Sequence, residues 1–469
     1  MGFDNEWTNI QPMNAQNDGW DKFIVFCLFL TVLVAKWPAL AIPYHWDEMD
    51  VYFAPAHWLS NRSLLDVLPW RHPAELFYGH TPLLYLLTAF LFKLFGTKPE
   101  VAHSLVLFFA SLGVVYTYRL GRTMASHRVA LGGAILLFAF PLYFAQAAML
   151  LPEVPITALG VMSVYYLVAR KPVAYSFCST AMVLIKETSA LMVLVLLIFK
   201  YTEEVGWRNW RILFPYAVPL VVLTIFFAGQ IVTYGALLPN PYFYHQKLIS
   251  FRGGDAIYWA FDAQWRFLLT GTIIIAHWRT RRLPPIFMLF VTVCLVYVVV
   301  FTCIFVLPRY MLMVAPFVCL MAAFSLQLLL PESRRYCIGI ALPVLLAIMV
   351  PPYERNNSVS CEINMQYRRL VKANMAVAEA LSTIPSEKTI LASWPLITVL
   401  TRPELGYVHR ALPVTDDVSA KWEFAVVSEF GDKNLYNEIS EVVHQRGGLL
   451  VKTVGCNGKQ IDIYQLLKR

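Results

Sequence analysis

A mostly α-helical fold is predicted: a polytopic transmembrane bundle of about 11 spans, then a small C-terminal α/β extracytoplasmic domain. Three observations predict it. Of 469 residues, 58% are hydrophobic and only 14% charged, too little polar surface for a soluble chain of this length. The apolar residues form runs, such as 284–306 and 310–330, that match the thickness of a bilayer's hydrocarbon core. After residue 352 the pattern changes to short alternating stretches separated by polar residues.

The predicted spans are 22–42, 101–118, 129–148, 154–169, 212–234, 257–278, 284–306, 310–330 and 336–351. Between 172 and 200 lies an apolar stretch interrupted by Lys186 and Glu187, and 80–96 is apolar but short. Basic clusters orient the chain: Arg119/Arg122/Arg128, Arg170/Lys171, Lys200/Arg208/Arg211, Arg279/Arg281/Arg282 and Arg334/Arg335. The positive-inside rule places all five in the cytoplasm. That requires 80–96 to stay at the outer interface, and 172–200 to cross twice as two short arms meeting near Lys186. The expected location is the plasma (inner) membrane, with a cytoplasmic N-terminus and the tail outside. No cleavable signal sequence is expected, since about 20 polar residues precede the first apolar run. The transmembrane domain is predicted over 1–352, with a first outer loop at 43–79 and an interfacial segment at 80–96. The α/β domain is predicted over 353–469, with helices near 364–384 and 432–446 and strands at 390–393, 424–430, 449–454 and 461–467.

The net charge of +8 fits cytoplasmic loops of a polytopic protein better than a nucleic-acid partner, and none is expected. The eight cysteines lack zinc-ligand spacing, and most sit in apolar runs.

Chemistry-bearing residues gather on the predicted outer side. His45-Trp46-Asp47-Glu48-Met49-Asp50 follows the first span and puts three carboxylates at the bilayer edge. Glu153 lies in the short turn Leu151-Pro152-Glu153-Val154-Pro155. Either acid alone is a good helix start, because carboxylates favour a helix N-terminus. Converging from separate turns, Asp47, Glu48 and Glu153 suit a general base and orienting groups, or a divalent metal cation held by Asp47 and Glu153. Lys186, between two apolar arms, is a functional candidate by its setting, against an ordinary ion pair with Glu187. Arg309, beside Tyr310 in Leu307-Pro308-Arg309-Tyr310, suits an anion such as a lipid phosphate. His80, in Gly79-His80-Thr81-Pro82, and His245, in the loop 235–256, are weaker substrate-contact candidates.

Taken in order, these motifs resemble the membrane glycosyltransferases of the C-type fold. The bacterial branch related to protein O-mannosyltransferase, the lipid A aminoarabinose transferase and rhizobial lipopolysaccharide core transferases is the nearest match. The resemblance rests on Asp47-Glu48 after the first span, His80-Thr81-Pro82-Leu83, Glu153, Lys186 and Pro308-Arg309-Tyr310. It covers roughly 20–350, and more loosely the tail. Thr81 departs from the proline usual there, and the second acid is Glu rather than Asp. The resemblance implies an inverting hexosyl or pentosyl transferase of the cell envelope. Its donor would be a sugar on a polyprenyl phosphate, and its acceptor a hydroxyl of an envelope glycan, of lipid A (lipopolysaccharide) or of a protein. It implies Asp47 as base and Arg309 and Lys186 as cations for the leaving phosphate. The rival class is a transporter or flippase for a lipid-linked substrate, although transporters place their charges near the midplane.

Overall fold

The computed structural model describes residues 18–203, 210–237, 257–258, 266–280, 286–303, 307–330, 362, 364–385, 387–430, 433–456 and 458–466. The predicted span 336–351 and His245 lie outside the described residues.

The bundle begins with α1 (Asp18–Lys36), extended by a 3-10 turn at Trp37–Ala39. The loop over 43–79 is not irregular. It contains a single π-helical stretch (Glu48–Phe53) running into α2 (Ala54–Ser60), then 3-10 turns at Leu64–Val67 and Pro69–Arg71. α3 (Leu83–Phe95) follows; its 13 residues span about 20 Å, short of a ~30 Å hydrocarbon core. Next come α4 (Pro99–Met124), α5 (His127–Ala139), α6 (Pro141–Gln146) and α7 (Glu153–Val168). The expected span 129–148 is broken at Phe140, which precedes Pro141, because a residue before proline is pushed out of helical geometry.

The stretch 172–200 forms two arms, as expected: α8 (Pro172–Ile185) and α9 (Ala190–Glu203), with a 3-10 turn at Glu187–Ser189 between them. Lys186 stands at the break in extended conformation. The remaining bundle helices are α10 (Trp210–Tyr234), α11 (Arg266–Thr280), α12 (Ile286–Cys303) and α13 (Ala315–Leu329), the last entered through a 3-10 turn at Pro308–Val314.

Among the described residues five helical segments are long and apolar enough to cross a membrane: Gly19–Ala39, Pro99–Met124, Trp210–Tyr234, Ile286–Cys303 and Pro308–Leu329. The expected count of about 11 is therefore not established, because several predicted spans are realised as shorter helices. Exposed apolar side chains line α1 (Phe23, Phe26, Leu30, Val34) and α10 (Phe214, Val221, Ile225, Val232). Stripes of that kind belong against lipid, and the chain is a multi-pass membrane protein.

α7 is the axis of the bundle, packed against α4, α8 and the 308–314 turn. Small residues set these approaches. A Cβ on Gly160 of α7 would stand 2.9 Å from Met313 Sδ and 3.0 Å from Met192 Sδ. One on Gly121 of α4 would meet the Ala130 Cα of α5 at 2.7 Å.

After residue 362 the chain folds as an α/β unit: α14 (Tyr367–Ser382), β1 (Ile390–Ala392), α15 (Leu396–Thr401), β2 (Val414–Thr415), β3 (Phe424–Ser428), α16 (Lys433–Gln445), β4 (Gly448–Cys456) and β5 (Lys459–Leu466). The sheet order is β2-β1-β3-β5-β4. β1 runs parallel to β2 and β3, in register Ile390 with Phe424, while β5 is antiparallel to both β3 and β4. The period-2 alternation sorts the side chains. Leu391, Ala425 and Val427 pack with Ile439 and Val443 of α16. Ile390, Ala392, Phe424 and Val426 join the large apolar core that also contains α14 and the bundle. One face of the sheet is thus continuous with the membrane domain's interior.

Gly121→Leu should force α4 and α5 apart, because the obstacle is backbone rather than a flexible tip. Overpacking of this kind costs about 1–3 kcal/mol or more. A lowered melting temperature of the detergent-solubilised protein checks it, and an unchanged one contradicts the packing described.

Candidate active site

The carboxylate-rich start of the first loop is held in a defined pose by its neighbours. The Tyr44 N–H donates to the Leu405 carbonyl at 3.2 Å, and the Tyr407 hydroxyl donates to the Tyr44 carbonyl at 2.9 Å. Trp46 takes a left-handed backbone, φ 51°, a conformation that disfavours any Cβ-bearing residue by about 1–2 kcal/mol. Its ring is fixed edge-on against Trp394, 4.5 Å between centroids. The turn at Trp46 sends Asp47 and Glu48 to different partners.

Asp47 accepts a hydrogen bond from Arg309 Nη2. Glu153 receives two cations on the same oxygen, Oε1: Lys186 Nζ at 2.7 Å and Arg309 Nε at 3.4 Å. Arg309 Nη1 donates to Glu362 Oε2 at 3.0 Å. The ammonium of Lys186 also lies over the Tyr310 ring, 4.3 Å from its centroid, a favourable cation–π distance. The structure therefore brings together Asp47, Glu153, Lys186, Arg309 and Tyr310 of the expected site. Asp47 is the accessible member: its side chain is 29% exposed, against 1% for Glu153 and 8% for Arg309. Neither acid acts as a helix cap, since Asp47 makes no capping bond and Glu153 turns to the cations.

Other expected members stand beside this cluster. Glu48 is fully buried: it accepts hydrogen bonds from the His45 N–H at 3.0 Å and from the Leu150 N–H, and its Oε1 lies 3.0 Å from His103 Nε2. His103 Nδ1 lies 2.9 Å from the Leu40 carbonyl, which fixes the ring with its other nitrogen facing Glu48. Glu48 thus ties the Asp47 turn to the turn that carries Glu153. His80 contacts Glu187 at 3.1 Å rather than the carboxylate cluster, so Glu187 is committed there and Lys186 pairs with Glu153 instead of its sequence neighbour. The extended residue at the helix break points adjacent side chains in opposite directions. Asp50 accepts from Trp394 Nε1 at 2.9 Å and Arg402 Nη1 at 3.2 Å, which docks the C-terminal unit on the loop.

Glu362 and His103 escape the sequence reading. Glu362 lies in a polar segment with no pattern to mark it. His103 carries a signal, an ionisable side chain within an apolar helix.

A divalent cation does not fit between Asp47 and Glu153 as they stand. The Arg309 guanidinium already bridges them, and Glu153 Oε1 carries a second cation. Among the described residues no group of three or more His, Cys, Asp or Glu forms a metal-holding cluster.

Burial raises the Glu362 carboxyl to about 8; Arg309 pulls it down, and Asp47 and Glu48 push it further up. A carboxyl raised on folding contributes stability that is full below about pH 4.5 and is lost as pH rises through about 8. The melting temperature of the wild type relative to Glu362→Gln should therefore fall between pH 5 and pH 9. Parallel pH profiles for the two proteins would contradict this.

Residues 79–230 match the family model described as dolichyl-phosphate-mannose-protein mannosyltransferase. No curated protein matches the chain in sequence. Among solved structures, ArnT from Cupriavidus metallidurans in the apo state superposes with a TM-score of 0.59 at 16% identity, covering 94% of this chain and 98% of that one. The same protein bound to undecaprenyl phosphate gives 0.59 at 17% identity, over 97% and 99%. The apo oligosaccharyltransferase of Archaeoglobus fulgidus gives 0.49 at 12% identity, over 94% and 74%. The described chain therefore shares the overall fold of the ArnT structures.

Proposed function

We propose that the chain is a glycosyltransferase that moves a sugar from a polyprenyl-phosphate donor to a hydroxyl of an extracytoplasmic acceptor. The observation that carries this reading is the partly exposed Asp47 set against two buried cations, Arg309 and Lys186. The likeness to a structure bound to undecaprenyl phosphate supports the donor class.

In this reading Asp47 takes the proton of the acceptor hydroxyl as its oxygen attacks the anomeric carbon. The bond from that carbon to the phosphate oxygen breaks, and the phosphate leaves with the electron pair. Attack opposite the leaving group inverts the anomeric centre. Positive charge develops on the sugar, as in other glycosyl transfers, while negative charge grows on the phosphate. Arg309 meets that charge with a planar pair of donors, and Lys186 with a point charge. Both are held in place beforehand by Glu153, so they need little rearrangement when the charge appears. Tyr310 sets the depth of Lys186 through its ring. Glu48 acts as a brace rather than as an acid or base, because its two oxygens are committed to two backbone N–H groups and to the His103 ring. His80 positions the Lys186 turn through Glu187. No step runs through a metal. The acceptor is an envelope glycan, lipid A or a protein, approached from the side on which Asp47 is exposed.

Asp47→Asn should lower kcat by about 10²–10⁴-fold, the usual worth of a general base, with stable expression retained. Arg309→Ala should cost about 10²–10³-fold, as removal of one preorganised donor does. Transfer assays with purified protein, polyprenyl-phosphate sugars and crude envelope acceptors in detergent check both. Transfer without compartments also separates an enzyme from a carrier of the lipid-linked substrate. No transfer by the wild type sinks the reading.

A further inference from the structure

Two nitrogens of Arg309 hydrogen-bond carboxylates, Nη2 to Asp47 and Nη1 to Glu362 at 3.0 Å, while Nε stands 3.4 Å from Glu153 without hydrogen-bonding it. A phosphate binds a guanidinium through two neighbouring N–H groups. It cannot do so here until one carboxyl gives way, and the three are not equal. Glu153 is held by Lys186 at 2.7 Å, and its departure would strand a buried ammonium. Asp47 is the proposed base. Glu362 has no second cation among the described residues, and its other oxygen, Oε1, is buried without a hydrogen-bond partner there, as is Glu153 Oε2. Two cations serve three carboxyls, and Glu362 is the surplus one.

We propose that the Glu362 carboxyl is a resident stand-in for phosphate, holding the Nη1 side of Arg309 until the donor's phosphate takes it, and so setting donor affinity. The proposal rests on the reading of Arg309 as the phosphate's partner. Where the Glu362 carboxyl is ionised, above about pH 8, exchanging one anion for another keeps the guanidinium neutralised, which a buried cation requires. Glu362 is a positioning residue in this scheme: it acts through Arg309 and touches no reacting atom.

The test is equilibrium binding of undecaprenyl phosphate to the full chain in detergent at pH 9, read by intrinsic tryptophan fluorescence. Glu362→Ala should bind about tenfold more tightly than wild type, since the ligand no longer displaces a charge-assisted hydrogen bond. Glu362→Gln, which keeps the volume and drops the charge, should fall between them and serves alone if the alanine variant fails to fold. In transfer assays the same variants should lower KM for the donor and leave kcat within a few-fold of wild type. Unchanged or weaker binding by both variants overturns the proposal and makes Glu362 a plain support for Arg309. Equal binding by wild type and Arg309→Ala is a different failure, that of the phosphate site itself.

Discussion

A guanidinium cannot shed its proton to escape a dry interior, and Arg309 sits in one. Its charge has to be answered by carboxylates, and these come from three distant parts of the chain: the first loop, the start of α7 and the head of the C-terminal unit. The need to neutralise one cation therefore fixes where three segments end. Removing a single partner of such a buried charge typically costs about 3–5 kcal/mol. The ionic cluster is thus a folding constraint as well as a chemical site.

Much of the fold was readable because its elements are long and apolar. The break at Lys186 was readable too, since a lysine inside an apolar stretch has few alternatives. The strands β1, β3, β4 and β5 showed as short apolar runs. β2, with two residues, and α15, with six, are shorter than any periodicity can reveal. The span count is not established by helix length, because a helix packed inside a bundle need not have the length of one facing lipid.

At the site, Asp47, Glu153, Lys186 and Arg309 were each visible as charges in unusual places. Their pairing was not. Lys186 had an acid as its immediate neighbour, yet the extended backbone at the break turned the two apart. Glu48 was expected to join Asp47 in the site as an orienting group, but past the left-handed turn at Trp46 it is committed to the protein's own amides and to His103. Side-chain direction decided both cases, and direction depends on one or two backbone angles that composition does not report. Glu362 had no local signal, because its importance comes wholly from a contact across 53 residues.

The interruption between α8 and α9 has an energetic corollary for an amphiphile. α8 has 14 residues, so Lys186 lies about 21 Å along it from Lys171, less than the ~30 Å of an apolar slab. With Lys171 at one boundary of such a slab, the break at Lys186 stands short of the other. A molecule with a charged head and a long hydrocarbon chain can then dock sideways, its chain still dissolved in oil. Raising it to the aqueous boundary would expose methylenes at about 0.8 kcal/mol each, and a recessed charge removes the need for that climb.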